Sequence, residues 1–186
     1  MKTVRIVVSM LMVLCFGVFM ASASSIVGHK ISDNYMTVLG VPMGAKKADI
    51  IRSLGEPTKT QFRLVRGEGT YILSYGGTDF YCLKDYKIKD EAIASATAQL
   101  YRVVLTNRDA AIVGNIAVGD SITKLAEADI FDFQPDIVNH SDTDSRKAYI
   151  FYGRYIPRSD YTSGIWFHLY KNNKGEYIIT EIDIKR

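Results

Sequence analysis

The sequence predicts an α+β protein of two tandem units, each a helix-loop-helix packed on an antiparallel sheet that has one helix-covered face and one exposed face. Three observations carry this. First, residues 41–57 read as a buried lead-in, a corner at Met43-Gly44, a short amphipathic helix and a stop. Ala48, Ile51 and Leu54 recur at helical spacing, Gly55 supplies a left-handed residue past the helix end, and Pro57 forbids continuation. Second, the pattern returns 75 positions after Gly44 as Ile116-Ala-Val-Gly119-Asp-Ser-Ile122-Thr-Lys-Leu125. Third, each copy is followed by strand-like runs containing a Tyr-Gly corner, Tyr75-Gly76 and Tyr152-Gly153. The units span residues 32–106 and 107–186, a period too long for a solenoid.

Taken in order, residues 1–23 read as a secretory signal peptide. Lys2 and Arg5 form a basic start, residues 6–20 are apolar, and Ala21-Ser22-Ala23 offers small residues for cleavage after Ala23. The apolar run is short for a spanning helix, which needs about 20 residues. Val13 and Leu14 before Cys15 are not the small residues that a lipid-modification site requires. Residues 24–31 form a flexible tail. Ser32 caps a first helix over residues 34–39, closed by Gly40. After the second helix, strands follow at 58–65, with Phe62 and Leu64 on one side, and at 70–75, with Tyr71, Leu73 and Tyr75 on one side. Gly76-Gly77-Thr78-Asp79 makes a tight hairpin, and residues 80–83 return as a third strand. Residues 85–96 are a loop or short helix, and 99–105 form the fourth strand.

In the second unit Asn107 caps a helix over residues 108–113, and Asp120 or Ser121 caps the next, which turns Ile122, Leu125 and Ala126 inward. A polar loop at 139–145 precedes a strand at 146–152. A long hairpin tip at 153–164 then leads to a strictly alternating strand at 165–170. After the turn Asn172-Asn173-Lys174-Gly175, the last strand carries Ile178, Thr180, Ile182 and Ile184 on one face and sends Tyr177, Ile179, Glu181 and Asp183 to the other.

Composition narrows the function. The chain has 23 basic and 20 acidic residues, and loss of Lys2 and Arg5 with the signal leaves it near neutral, unlike a nucleic-acid binder. Cys82 is then the single remaining cysteine, so no intramolecular disulfide forms. Cys82 with His168 could be read as nucleophile and base, but a thiol inside a strand is ordinarily a small buried hydrophobe. His29, His140 and His168 lack metal-ligand spacing, and Asp136, Asp142 and Asp144 lack the glycine and distal glutamate of a calcium loop. The reading is therefore no enzyme, no cofactor and no metal.

The order of Gly44, Leu54-Gly55-Glu56-Pro57 and Tyr75-Gly76, followed by a strand pair and then repeated, resembles the β-lactamase inhibitor protein fold. It also looks like the outer-membrane assembly lipoproteins of the SmpA/OmlA (BamE) type. That resemblance, over 32–185, implies a sheet and hairpin loops presented to a protein target, with Gly77-Thr78-Asp79 and residues 155–161 as the matching tips.

Strand alternation makes the rest of the argument. If Ile165, Phe167 and Leu169 face the helices, Trp166, His168 and Tyr170 face away, together with either Tyr149 and Phe151 or Ile150 and Tyr152. Aromatics paired across strands contribute to stability, about 0.2–1 kcal/mol a pair. Tyr and Trp also dominate binding hot spots. The expectation is a secreted or periplasmic protein-binding module, an inhibitor or adaptor, that recognises a protein partner through Asp79, Tyr81, Tyr155, Tyr161, Trp166, His168 and Tyr170. It expects no nucleic acid and no membrane insertion after signal cleavage. The alternative is an envelope-assembly or structural component acting through oligomers.

Overall fold

Two short β-branched stretches set the pattern of the chain. In the computed structural model, which describes residues 36–65, 67–128, 136–138, 144, 146–154 and 163–186, residues 37–42 form a strand pair where a helix over 34–39 was expected. Strands β1 (Thr37–Val38) and β2 (Val41–Pro42) pair antiparallel across a turn in which Leu39 and Gly40 both take positive φ, 51° and 78°. A run of six residues cannot support an isolated helix, whereas this pair buries both Val38 and Val41. Helix α1 (Lys47–Leu54) follows, with Ile50 fully buried and Ile51 and Leu54 packed against the core. It stops at Gly55, whose φ is 83° and whose N–H meets the Ile51 carbonyl at 2.8 Å.

Strands β3 (Lys59–Val65), β4 (Glu68–Tyr75) and β5 (Thr78–Leu83) then form a meander. Helix α2 (Glu91–Thr97), capped by the Asp90 side chain on the Ile93 N–H, leads to β6 (Gln99–Leu105). The same order recurs. Strands β7 (Ala111–Ile112) and β8 (Ile116–Ala117) pair around a turn containing Gly114 and Asn115, both at positive φ. Helix α3 (Ile122–Glu127) is capped by Ser121 on the Lys124 N–H. Strands β9 (Asp136–Val138), β10 (Lys147–Arg154), β11 (Ser163–Lys171) and β12 (Tyr177–Lys185) complete the chain.

The expected helix-loop-helix units are thus corrected. Each place assigned a first helix holds a tight strand pair, and the three α-helices among the described residues, of 8, 7 and 6 residues, are minor beside the sheet. Asn107 does not cap a helix; its side-chain oxygen accepts the Asp109 N–H, and residues 111–112 run extended. Nor are there two sheets side by side. The eight strands β3-β4-β5-β6-β12-β11-β10-β9 form one sheet, joined where β6 pairs antiparallel with β12 through Leu105↔Ile182 and Val103↔Ile184.

Corresponding hydrogen bonds tie each corner to its sheet. Gly44 N–H donates to Leu100 O at 2.8 Å and Leu100 N–H to Ala45 O at 2.9 Å. Gly119 N–H likewise donates to Ile179 O at 2.8 Å and Ile179 N–H to Asp120 O at 2.9 Å. Both corner glycines have positive φ, 85° and 91°, and each lies under an arginine: a Cβ would come 2.8 Å from Arg186 Nη1 at Gly44 and 3.2 Å from Arg108 Nη1 at Gly119. The backbone conformation favours glycine at both corners, and a side chain there would also have to displace the arginine tip above it.

One face of the sheet is the core. Leu73, Phe80, Val103, Ile184, Ile165 and Tyr152 run across it in register, with Leu105, Ile182, Phe167 and Ile150 as the next row. Ile50 of α1 and Leu125 of α3 close it from above. A bulge between His168 and Leu169 changes the register of β12, so Ile179 is buried with Ile182 and Ile184 while Thr180 is exposed. The expected alternation over 177–184 therefore breaks at Thr180. Phe62 and Leu64, which share one side of β3 as the alternation predicts, stand exposed on an edge strand.

Candidate functional site

The face opposite the helices carries the side chains that face inward-pointing neighbours in sequence. On β11, Ile165, Phe167 and Leu169 are buried, so the pleat turns Trp166, His168 and Tyr170 to the other side. On β10 the same rule resolves the open pair: Ala148, Ile150 and Tyr152 are buried, and Tyr149 and Phe151 face outward.

These rings meet across strands. Phe151 stacks on Trp166 with centroids 4.2 Å apart and planes at 29°, Tyr149 meets the same indole edge-on at 5.0 Å, and Tyr149 lies 6.5 Å from His168. Tyr170 holds the Arg146 guanidinium 5.0 Å from its centroid. His168 Nε2 faces Glu181 Oε1 at 3.5 Å, and its side chain is 46% exposed. The indole N–H of Trp166 is buried and has no acceptor among the described residues. An unpaired buried donor costs about 1–3 kcal/mol.

Beside this row, where β6 meets β12, lies a charged centre. Asp183, which is opposite Trp166 in register, accepts two hydrogen bonds from Arg102, Nε at 2.8 Å and Nη2 at 3.0 Å, and faces Lys185 Nζ at 3.1 Å. The Arg102 guanidinium also sits 5.0 Å over the Tyr81 ring. Burial alone would lower the Arg102 pKa, but the Asp183 carboxylate outweighs it and holds the guanidinium above its ordinary value. Burial raises the Tyr81 hydroxyl, against the opposing pull of Arg102. Both groups are thus fixed in their neutral-pH forms, Arg102 charged and Tyr81 protonated.

The residues singled out from the sequence fall in three places. Trp166, His168 and Tyr170 form the aromatic row. Tyr81 joins the charged centre, and Asp79 lies on the same face opposite Val104 and Ser74. Tyr155 and Tyr161 lie outside the described residues. The first hairpin tip differs from expectation. The turn is Gly76-Gly77, Thr78 is buried, Asp79 is already within β5, and Thr106 N–H closes on Gly77 O at 2.7 Å. The connection after β6 seals that tip. Arg102 and Arg146 were not anticipated. Their signal was alternation with the core residues of β6 and position just before β10, but which aromatic each would meet depends on strand pairing.

Cys82 and His168 lie on opposite faces, the thiol fully buried among core residues and pushed up to about 12 by that burial. No group of three His, Cys, Asp or Glu side chains that could hold a metal occurs among the described residues. No helix among them is long and apolar enough to cross a membrane. At the far end of the sheet a cleft of about 610 Å³ opens between the β3–β4 turn and the connection after β5, lined by Lys46, Leu83, Tyr86, Ile88 and Gln99 among others.

Comparison with known proteins adds little to this geometry. No family model matches the chain, and no curated protein does. Two solved structures match. One is an extracellular protein containing an SCP domain from Bacillus anthracis, with 11% identity, TM-score 0.42, and 84% of this chain and 48% of that one covered. The other is a cysteine-rich secretory protein from Staphylococcus aureus, with 12% identity, TM-score 0.38, and 77% and 44% covered. This chain spans about half the length of each. With the strand pairs standing where the first helices were expected, the resemblance to the β-lactamase inhibitor protein and SmpA/OmlA-type families is set aside.

Proposed function

We propose that the chain is an exported protein-binding module that recognises a protein partner by burying the aromatic row on the sheet face away from its helices, with no covalent chemistry. The observation that carries this reading is the row itself: Phe151, Trp166, Tyr149 and His168 in ring contact on the face away from the helices, with Tyr170 under Arg146 at the end of the row. Aromatic rings stacked in advance lose little conformational freedom on binding, and Trp, Tyr and Arg are the residues that most often dominate interfaces. The Arg102–Asp183–Lys185 centre beside the row supplies fixed charges for orientation. The basic start, apolar run and small residues of 1–23 support export.

The test is affinity capture from extracellular and envelope fractions with the wild-type protein, followed by titration of each captured partner against Trp166→Ala and Tyr170→Ala. Loss of a hot-spot ring corresponds to at least about 2 kcal/mol, a weakening of about 30-fold. If both variants keep the wild-type circular dichroism spectrum and every partner binds them as tightly as wild type, this face is not the recognition surface.

A further inference from the structure

Among the described residues the large sheet ends at β3, which pairs with β4 and has no strand on its other side. Every β3 side chain is exposed or half-exposed. Phe62 and Leu64 are 51% and 72% exposed, although they lie on the helix side of the sheet with Tyr71. The helix layer reaches Tyr71, whose hydroxyl donates to Glu91 of α2 at 2.6 Å, and the Phe62 ring rests 4.9 Å from Tyr71 without being covered. On the other side of β3, Lys59, Gln61 and Arg63 alternate, and the strand holds two cations and no carboxylate. Charged side chains on an edge ordinarily discourage pairing, but two large exposed apolar side chains on the same strand do the opposite.

We propose that β3 is a docking edge for an extended acidic segment of a protein partner, which adds to the sheet as a ninth strand. This surface is separate from the aromatic row. In such an addition the backbone groups of β3 that lack a strand partner bond the incoming chain, and specificity comes from alternate side chains. Side chains opposite one another share a face, so the incoming segment places apolar residues beside Phe62 and Leu64 and carboxylates beside Lys59 and Arg63. The matching sequence alternates acidic and apolar residues with period two. Charge argues against a second copy of this chain as occupant. Antiparallel self-pairing centred on Phe62 sets Arg63 opposite Gln61 and Lys59 opposite Val65, so the two strands bring four cations to one face and no carboxylate.

The experiment uses two fluorescein-labelled seven-residue peptides, one alternating glutamate with valine and one alternating lysine with valine, titrated into the purified protein at low salt and followed by anisotropy. The glutamate peptide is expected to bind at least ten-fold more tightly. Joint substitution Lys59→Glu and Arg63→Glu is expected to invert that preference, and Phe62→Ser with Leu64→Ser to weaken the glutamate peptide at least five-fold. All four positions are exposed on an edge, so the variants retain the fold, which circular dichroism verifies. Amide exchange should slow in β3 alone when the peptide is bound. Absence of glutamate-peptide binding overturns the proposal. So does binding indifferent to the substitutions, or a wild-type dimer in sedimentation that the Phe62→Ser, Leu64→Ser variant dissolves.

Discussion

Asp120 is a buried carboxylate with three partners, and its replacement gives a graded prediction. The carboxylate is buried, accepts the Ala117 N–H at 2.9 Å, and faces Lys124 Nζ at 2.6 Å and Arg108 Nη2 at 2.7 Å. Burial alone would raise its pKa. The bonds from Lys124, the Ala117 N–H and Arg108 outweigh that and hold it below the ordinary carboxylate value. In Asp120→Ala the buried Ala117 N–H loses its acceptor, at about 1–3 kcal/mol. The two cations recover water because their side chains are 37% and 62% exposed, so each lost pair adds at most about 1 kcal/mol. The expected loss is about 3 kcal/mol, or about 6–12 °C in Tm for a domain of this size. Asp120→Asn keeps an oxygen for the Ala117 N–H but loses the charge and turns an amide donor toward Arg108, so it should cost about 1–2 kcal/mol.

The pH dependence has a definite sign. A carboxyl whose folded pKa is depressed stabilises fully above its unfolded pKa, about 3.9, and loses that contribution as pH falls through the folded value. The gap between wild type and Asp120→Asn should therefore be constant near neutrality and close in acid below about pH 4. Urea melts at a series of pH values measure it. Equal losses for Ala and Asn, or a gap that widens in acid, would refute the reasoning.

Two further predictions concern buried contacts. With its thiol pushed up to about 12 and fully buried, Cys82 should resist a disulfide reagent at pH 8 in the native state and react fully in urea, the labelling rate tracking global opening. Stoichiometric native labelling within minutes would contradict that burial. A Cβ at Gly77 would meet the Asn107 side chain at 2.2–2.6 Å. Gly77→Ala should accordingly destabilise by about 1–3 kcal/mol, and Asn107→Gly in the same background should recover most of it. Additive effects of the two substitutions in a thermal melt would show that the contact is not responsible.

The stretches whose sequence preference and environment agree were legible. Gly44, Gly55 and Gly119 mark left-handed corners because only glycine adopts them without strain, and all three have positive φ. The 165–170 alternation assigned Trp166, His168 and Tyr170 to one face, since β11 is covered on the other side and a pleat has no third choice. The functional reading drawn from those rings rests on their type and placement. Less was legible in segments of two to six residues. Residues 37–42 and 111–117 have neither the length to hold a helix nor the alternation to declare a strand, and their partners decide for them.

Local pattern, then, determined the glycine corners, the α1 helix and which side chains of a single strand share a face. Those properties depend on φ preference and side-chain period, which a few neighbouring residues settle. Tertiary structure alone decided that β6 and β12 join the strands into one sheet, that a bulge at His168/Leu169 moves Ile179 into the core, and that Arg102 reaches Asp183 across 81 positions of chain. It also decided that Phe62 and Leu64 stand at an edge. Each of these is a choice among long-range pairings whose local energies are nearly equal, and the shared burial of the whole sheet face selects one of them.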